Sequence, residues 1–194
     1  MPRIAREIEV DAPHHITLRG NNKQLIFSDH ADYWMYIELL NKYSFKYELV
    51  LLVYCLMPNH VHFIAIPKNL DSLSRTFHSV NFTYAQYFNY RYGRVGHLWQ
   101  GRYYSKTLSE NHLINAARYI EQNPVRAGLC ETAWNWEWSS AKTHSQGQGN
   151  DLRLGNLFEI IDISCNNWEE LLLEPATNPD GDRPLQKFKK QVRK

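Results

Sequence analysis

The chain has 194 residues, 43% of them apolar, enough for one hydrophobic core plus an appendage. Its net charge is only +2, but seven Lys/Arg stand against Glu110 and Glu121 between Arg75 and Cys130, and eight acids stand against Arg153 alone between Asp151 and Asp182. The last twelve residues then carry six bases and no acid, which suggests an anionic partner for the middle and the tail. Cys55, Cys130 and Cys165, without a CxxC pair, argue against a disulfide scaffold or a cysteine zinc site. No apolar run can span a bilayer or serve as a leader, so a soluble, cytoplasmic protein is expected.

The alternating, β-branched run His14-His15-Ile16-Thr17-Leu18-Arg19 predicts a first strand, ended by Gly20-Asn21-Asn22. Ser28 or Asp29 can cap a helix through Tyr33, Trp34, Ile37, Leu40 and Asn41. Leu49 to Met57 is continuously apolar and of strand length, as expected of a strand covered on both faces. Pro58-Asn59 turns it straight into His60-Val61-His62-Phe63-Ile64-Ala65-Ile66-Pro67, predicting an antiparallel hairpin. Asp71 or Ser72 opens a long aromatic helix, roughly Leu73 to Tyr92, stopped at Gly93.

A glycine-punctuated basic loop follows, from Gly93 to Arg102, and Tyr103 to Leu108 can form another strand. Ser109-Glu110 starts a third helix with Leu113, Ile114, Ala117 and Ile120 as its buried stripe. Pro124 should end it at Asn123. Trp134, Trp136 and Trp138 alternate in a segment expected to close the core. The composition then changes at a Gln/Gly-rich linker. One domain is therefore expected over residues 1–145, with 146–194 as linker and tail, partly disordered or regulatory, holding one short helix around Trp168 to Leu173. The strand–helix–strand–strand–helix–strand–helix order predicts an α+β fold of the ferredoxin-like split βαβ kind, a central antiparallel sheet with helices on its faces.

The histidine pair carries the chemistry. On a strand, alternate side chains share a face, so His60 and His62 point the same way while Val61 enters the core. Two imidazoles on a rigid strand are half a metal site, although an isolated His-x-His is more often merely structural. Tyr119 and Asn123, four residues apart, lie one above the other on a helix face that continues through Asn115 and Ala116. Two neutral imidazoles and a carboxamide oxygen would leave open positions on Mg²⁺ or Mn²⁺ for phosphate oxygens, with Tyr119 as nucleophile.

Met57-Pro58-Asn59-His60-Val61-His62, followed by Tyr119-Ile120-Glu121-Gln122-Asn123-Pro124-Val125-Arg126-Ala127-Gly128-Leu129, closely resembles the REP-associated tyrosine transposases. These are relatives of the single-strand transposases of the HUH (His-hydrophobe-His) nuclease superfamily. His15 to Asn22, Gly96 to Tyr103 and Trp138-Ser139-Ser140 extend the resemblance over about residues 14–142. It implies an endonuclease and strand transferase that cuts single-stranded DNA beside palindromic hairpins. His60, His62 and Asn123 would hold the divalent metal, and Tyr119 would form a 5′-phosphotyrosine link. Glu121-Gln122 depart from the family's more common pair, and Gln122 is a second candidate ligand. For DNA, Arg91, Arg94, His97, Arg102 and Arg126 are candidate phosphate contacts, and Arg19 and Asn21 candidate base readers. Trp99 is either a base-stacking platform or a core residue, and Tyr84, Tyr87 and Tyr103 are further stacking candidates. The acidic stretch Glu159 to Asp182 is expected to fold over the DNA face and lower activity. The resemblance leaves a monomer and a homodimer both open. A replication initiator or relaxase shares the chemistry but not the Asn-Pro-Val-Arg-Ala-Gly run. A non-catalytic nucleic-acid-binding module is the rival from another class.

Overall fold

The computed structural model describes residues 7–148, 151–161, 163 and 165–177. Four strands, β1 (His14–Arg19), β2 (Leu49–Met57), β3 (His60–Pro67) and β4 (Tyr104–Thr107), form one antiparallel sheet in the order β2-β3-β1-β4. With α1 (His30–Lys46) between β1 and β2 and α2 (Ser72–Arg91) between β3 and β4, this is the expected ferredoxin-like split βαβ arrangement. The sequence boundaries hold closely because local chemistry sets them. Asp29 caps α1, its carboxylate accepting from the Asp32 amide at 3.3 Å, and the two-residue turn at Pro58-Asn59 closes the hairpin.

Both faces of the sheet are covered, which is why β2 reads as continuously apolar. Leu51, Tyr54 and Leu56 meet α1 and α2, while Leu52, Val53, Cys55 and Met57 face the other way. Leu52 and Val53 fall on the same face because a bulge between Leu51 and Val53 breaks the alternation. The second face is roofed by α3 (Glu110–Glu121) and the short α4 (Asn123–Arg126), together with α5 (Ala141–Gln146) and α6 (Cys165–Leu173). The tryptophan segment does close the core. Trp138 stacks on Tyr33 at 4.5 Å, and Ser139 bridges to Cys55 at the β2 edge.

Past the predicted linker the chain returns to the same body. The Gly155 amide donates to the Leu51 carbonyl at 2.8 Å, and Leu157, Ile161, Trp168 and Leu172 are buried in the core under α3. Glu121, fully buried, accepts from Trp168 Nε1 at 2.8 Å and also bonds Ser140 Oγ and His144 Nδ1. The basic tail at 183–194 and the end of the acidic stretch lie outside the described residues. Among the described residues no helix is long and apolar enough to cross a membrane.

Candidate active site

The register of β1 against β3 sets Thr17 opposite His62 and Arg19 opposite His60. With period-two alternation, His15, Thr17 and Arg19 therefore share the α3-facing side of the sheet with His60 and His62. The two ligand candidates lie edge to face, with ring centroids 4.9 Å apart. The α3 helix brings Tyr119 to them from above, its ring 6.4 Å from that of His62 within the same chain. The guanidinium of Arg126 lies over the Tyr119 ring, 4.2 Å from its centroid.

Pro124 shapes the next piece. It interrupts the helix after Glu121, and a new turn restarts at Asn123 with the proline at its beginning, ending on Gly128 at φ +70°. The expected helix end becomes a kinked continuation that leaves Asn123 buried, 1% exposed, with neither amide oxygen nor amide nitrogen bonded. Nε2 of His60 and Nε2 of His62 are likewise buried and unbonded. A protein rarely leaves such atoms unpartnered at no purpose.

The orientation of His60 is fixed from the hairpin turn. Asn59 Nδ2 donates to the Lys23 carbonyl at 3.3 Å, which turns Asn59 Oδ1 toward His60 Nδ1, 2.6 Å away. An amide oxygen only accepts, so His60 Nδ1 carries the proton and Nε2 keeps its lone pair. Burial, aided by Arg19, pushes the His60 pKa down to about 3. Burial, helped by His60, His15 and the two arginines, drives His62 well below the usual histidine range. Both rings are neutral at physiological pH, the state that binds a cation. Gly20 seats against the same turn: its amide donates to the Asn59 carbonyl, and a Cβ there would come within 2.4 Å of the Gln24 carbonyl oxygen.

Among the described residues no three His, Cys, Asp or Glu side chains converge as metal ligands. The histidine pair fits a divalent metal only with oxygen donors added, for which the unbonded Asn123 amide is suited. Gln122 is not. Its Nε2 donates to the carbonyls of Leu172 and Glu174 and its Oε1 accepts from the Ala176 amide at 3.0 Å, so the second-choice ligand is spent on the C-terminal segment. Asn115, expected on the face of Tyr119, instead exchanges hydrogen bonds with Thr177.

The candidate DNA contacts divide. Arg91 pairs with Asp29 and with buried Asp32, both at 2.6 Å, tying α2 to the start of α1 instead of reaching outward. Trp99 donates from Nε1 to the Asn81 carbonyl at 3.0 Å and packs, half-buried, against the core near Tyr36 and Tyr84. Tyr84 is buried, its hydroxyl donating to the Ile26 carbonyl. The basic loop itself lies along the end of β1. The Asn21 amide donates to the Leu98 carbonyl and that of Gln100 to the Arg19 carbonyl. This sets exposed His97 and Arg102 beside Arg19 and Asn21, while exposed Arg94 bonds Gln24. Arg91→Ala is expected to lower the thermal midpoint while leaving the slope of log affinity against log salt unchanged. A slope smaller by about one would instead make Arg91 a phosphate contact.

The residue that the sequence reading left without a role is His15. It is 1% exposed, stacks on His62 at 5.6 Å and places Nε2 3.3 Å from His62 Nδ1. The available signal was its place two residues before Thr17 on an alternating strand, but which neighbour it meets depends on the register with β3.

Residues 10–123 match the model of the IS200-like transposases, a span that holds His60, His62, Tyr119 and Asn123, and the chain belongs to that family. A solved structure described as the REP-associated tyrosine transposase bound to a REP hairpin has a similar fold. Its TM-score is 0.62 at 18% identity, covering 85% of this chain and 96% of that one. A structure assigned as a transposase from Deinococcus radiodurans aligns with TM-score 0.42 at 17% identity, over 62% of this chain and 97% of its own. No curated protein matches the sequence.

Proposed function

We propose that this transposase is a metal-dependent endonuclease and strand transferase for single-stranded DNA at palindromic hairpins, working through a 5′-phosphotyrosine link. The observation that carries the reading is the convergence, in one chain, of two neutral imidazoles with unbonded Nε2 atoms and the ring of Tyr119. His60, His62 and Asn123 would hold Mg²⁺ or Mn²⁺. When bound, the ion would act as a Lewis acid on the scissile phosphate. A nitrogen-containing donor set favours Mn²⁺ over Mg²⁺ in affinity. Hairpin DNA as the partner is supported by the similar fold of a transposase described as bound to a REP hairpin.

The residues then divide the work. Arg126 holds the Tyr119 ring by its face, and Arg19, across from His60, places a second positive charge for the phosphate. Tyr119 Oη attacks phosphorus, a P–O bond to tyrosine forms, and the P–O3′ bond breaks. The phenol's proton is lost and the departing 3′ oxygen gains one, leaving a free 3′-hydroxyl. One ester replaces another, so a second 3′-hydroxyl can reverse the step and join strands. Water, by contrast, would release the strand. Because ring and imidazoles belong to one chain, the reading needs a single subunit.

Incubating a single-stranded hairpin substrate with the protein and Mn²⁺ is expected to give a denaturant-resistant protein–DNA adduct that EDTA prevents. Tight hairpin binding without an adduct, metal present, would make the protein a binding module.

A further inference from the structure

We propose that His15 is a positioning residue for the metal-binding face, accepting the Nδ1 proton of His62 and holding that ring in the tautomer whose Nε2 lone pair is free for a cation. The proposal rests on the metal-dependent reading above, but its evidence is geometric. His15 Nε2 lies 3.3 Å from His62 Nδ1, the rings are within 10° of parallel, and His15 is 1% exposed. One nitrogen of such a pair must donate. If His15 donated, His62 would carry its own proton on Nε2; if His15 accepts, its own proton sits on Nδ1, and both of those atoms are buried and unbonded. Each tautomer thus leaves one buried donor unmatched, and only the second opens His62 Nε2 to a cation. With the proton on His62 Nδ1, the unbonded Nε2 is a lone pair that a cation can fill.

The neighbouring ligand repeats the arrangement. Asn59 Oδ1 takes the Nδ1 proton of His60, so each imidazole is oriented from behind by its own acceptor, one from the hairpin turn and one from β1. Metal-bound histidines are ordinarily oriented in this way, and losing the outer acceptor typically costs about 10–100-fold in metal affinity. The β1–β3 register makes the pairing possible: His15 is diagonal to His62, two residues along from Thr17, within reach of a long side chain.

The test uses the full chain, isotope-labelled on histidine and free of metal. Nitrogen chemical shifts at neutral pH are expected to show His62 protonated on Nδ1. Mn²⁺ titration followed by electron paramagnetic resonance is expected to show His15→Phe binding about 10–100-fold more weakly than wild type. His15→Gln, which can return an acceptor near the Nε2 position, is expected to restore most of that affinity. His62 protonated on Nε2 in the wild type would overturn the proposal without any variant having to fold. So would equal Mn²⁺ affinity in wild type and His15→Phe. Loss of Mn²⁺ binding in the wild type itself, with His62 on the Nδ1 tautomer, would overturn the catalytic reading and with it any positioning role. The three failures are distinct.

Discussion

A chain ending at Gln146 is expected to lose cooperative folding. The part removed includes Leu157, Ile161, Trp168 and Leu172, all buried beneath α3, Trp168 completely. Each such side chain contributes about 1.5–3 kcal/mol by leaving water, so four supply roughly 6–12 kcal/mol, comparable with the 5–15 kcal/mol that typically separates folded from unfolded domains. Hydrogen bonds go too. Trp168 Nε1 would no longer satisfy the buried Glu121 carboxylate, and Arg118 and Gln122 would lose the backbone carbonyls of 171–174. Denaturant titration by circular dichroism should therefore show a broad, early transition or none. A truncated chain that melts cooperatively near the wild-type midpoint would refute this. One that also cleaves faster would revive the acidic stretch as a brake on activity.

Tyr119→Phe should lower covalent adduct formation by about three orders of magnitude or more, because it removes the hydroxyl proposed to take the phosphoryl. The substitution removes one oxygen and keeps the ring that Arg126 covers and that meets His62 edge-on. Mn²⁺ affinity, hairpin affinity and thermal midpoint are expected to stay near wild type, so the loss falls on the chemical step alone. Quantifying the adduct on denaturing gels against DNA bound in gel-shift assays separates these. Undiminished adduct in the phenylalanine variant would move the nucleophile elsewhere.

The scaffold was legible because its signals are local. Period-two alternation, the Pro-Asn turn, the Asp29 cap and Gly93 set β1, the hairpin, the start of α1 and α2 to within a residue or two, whereas α1 runs on past Asn41 to Lys46. His60 and His62 sharing a face with one another follows from strand geometry alone. What escaped depended on partners far along the chain. Arg91 reads as a free cation until α1 brings Asp29 and Asp32 to it, 62 and 59 residues away in sequence. Trp99 and Gln122 look available for the same reason, and their polar atoms are claimed by Asn81 and by residues 172–176. Asn115 has the spacing to join Tyr119 on one helix face, yet its amide is claimed by Thr177. Proline at 124 correctly marks a break, but the sequence does not say that the chain resumes helical turns with Asn123 turned inward. The polar composition past the linker hid the apolar anchors Leu157, Ile161, Trp168 and Leu172, which are buried against the core under α3.

The two-residue hairpin at Pro58-Asn59 has a consequence for how this protein can change. Inserting a single residue between Asn59 and His60 would rotate β3 by half a period against its neighbours. Val61 and Phe63 would then be delivered to the tyrosine helix, and both imidazoles to the greasy interior beneath α1 and α2. Length in that short stretch is thus the address at which the chemistry is delivered. The exposed loop at 93–97, by contrast, has room to grow or shrink without misdirecting a single ligand.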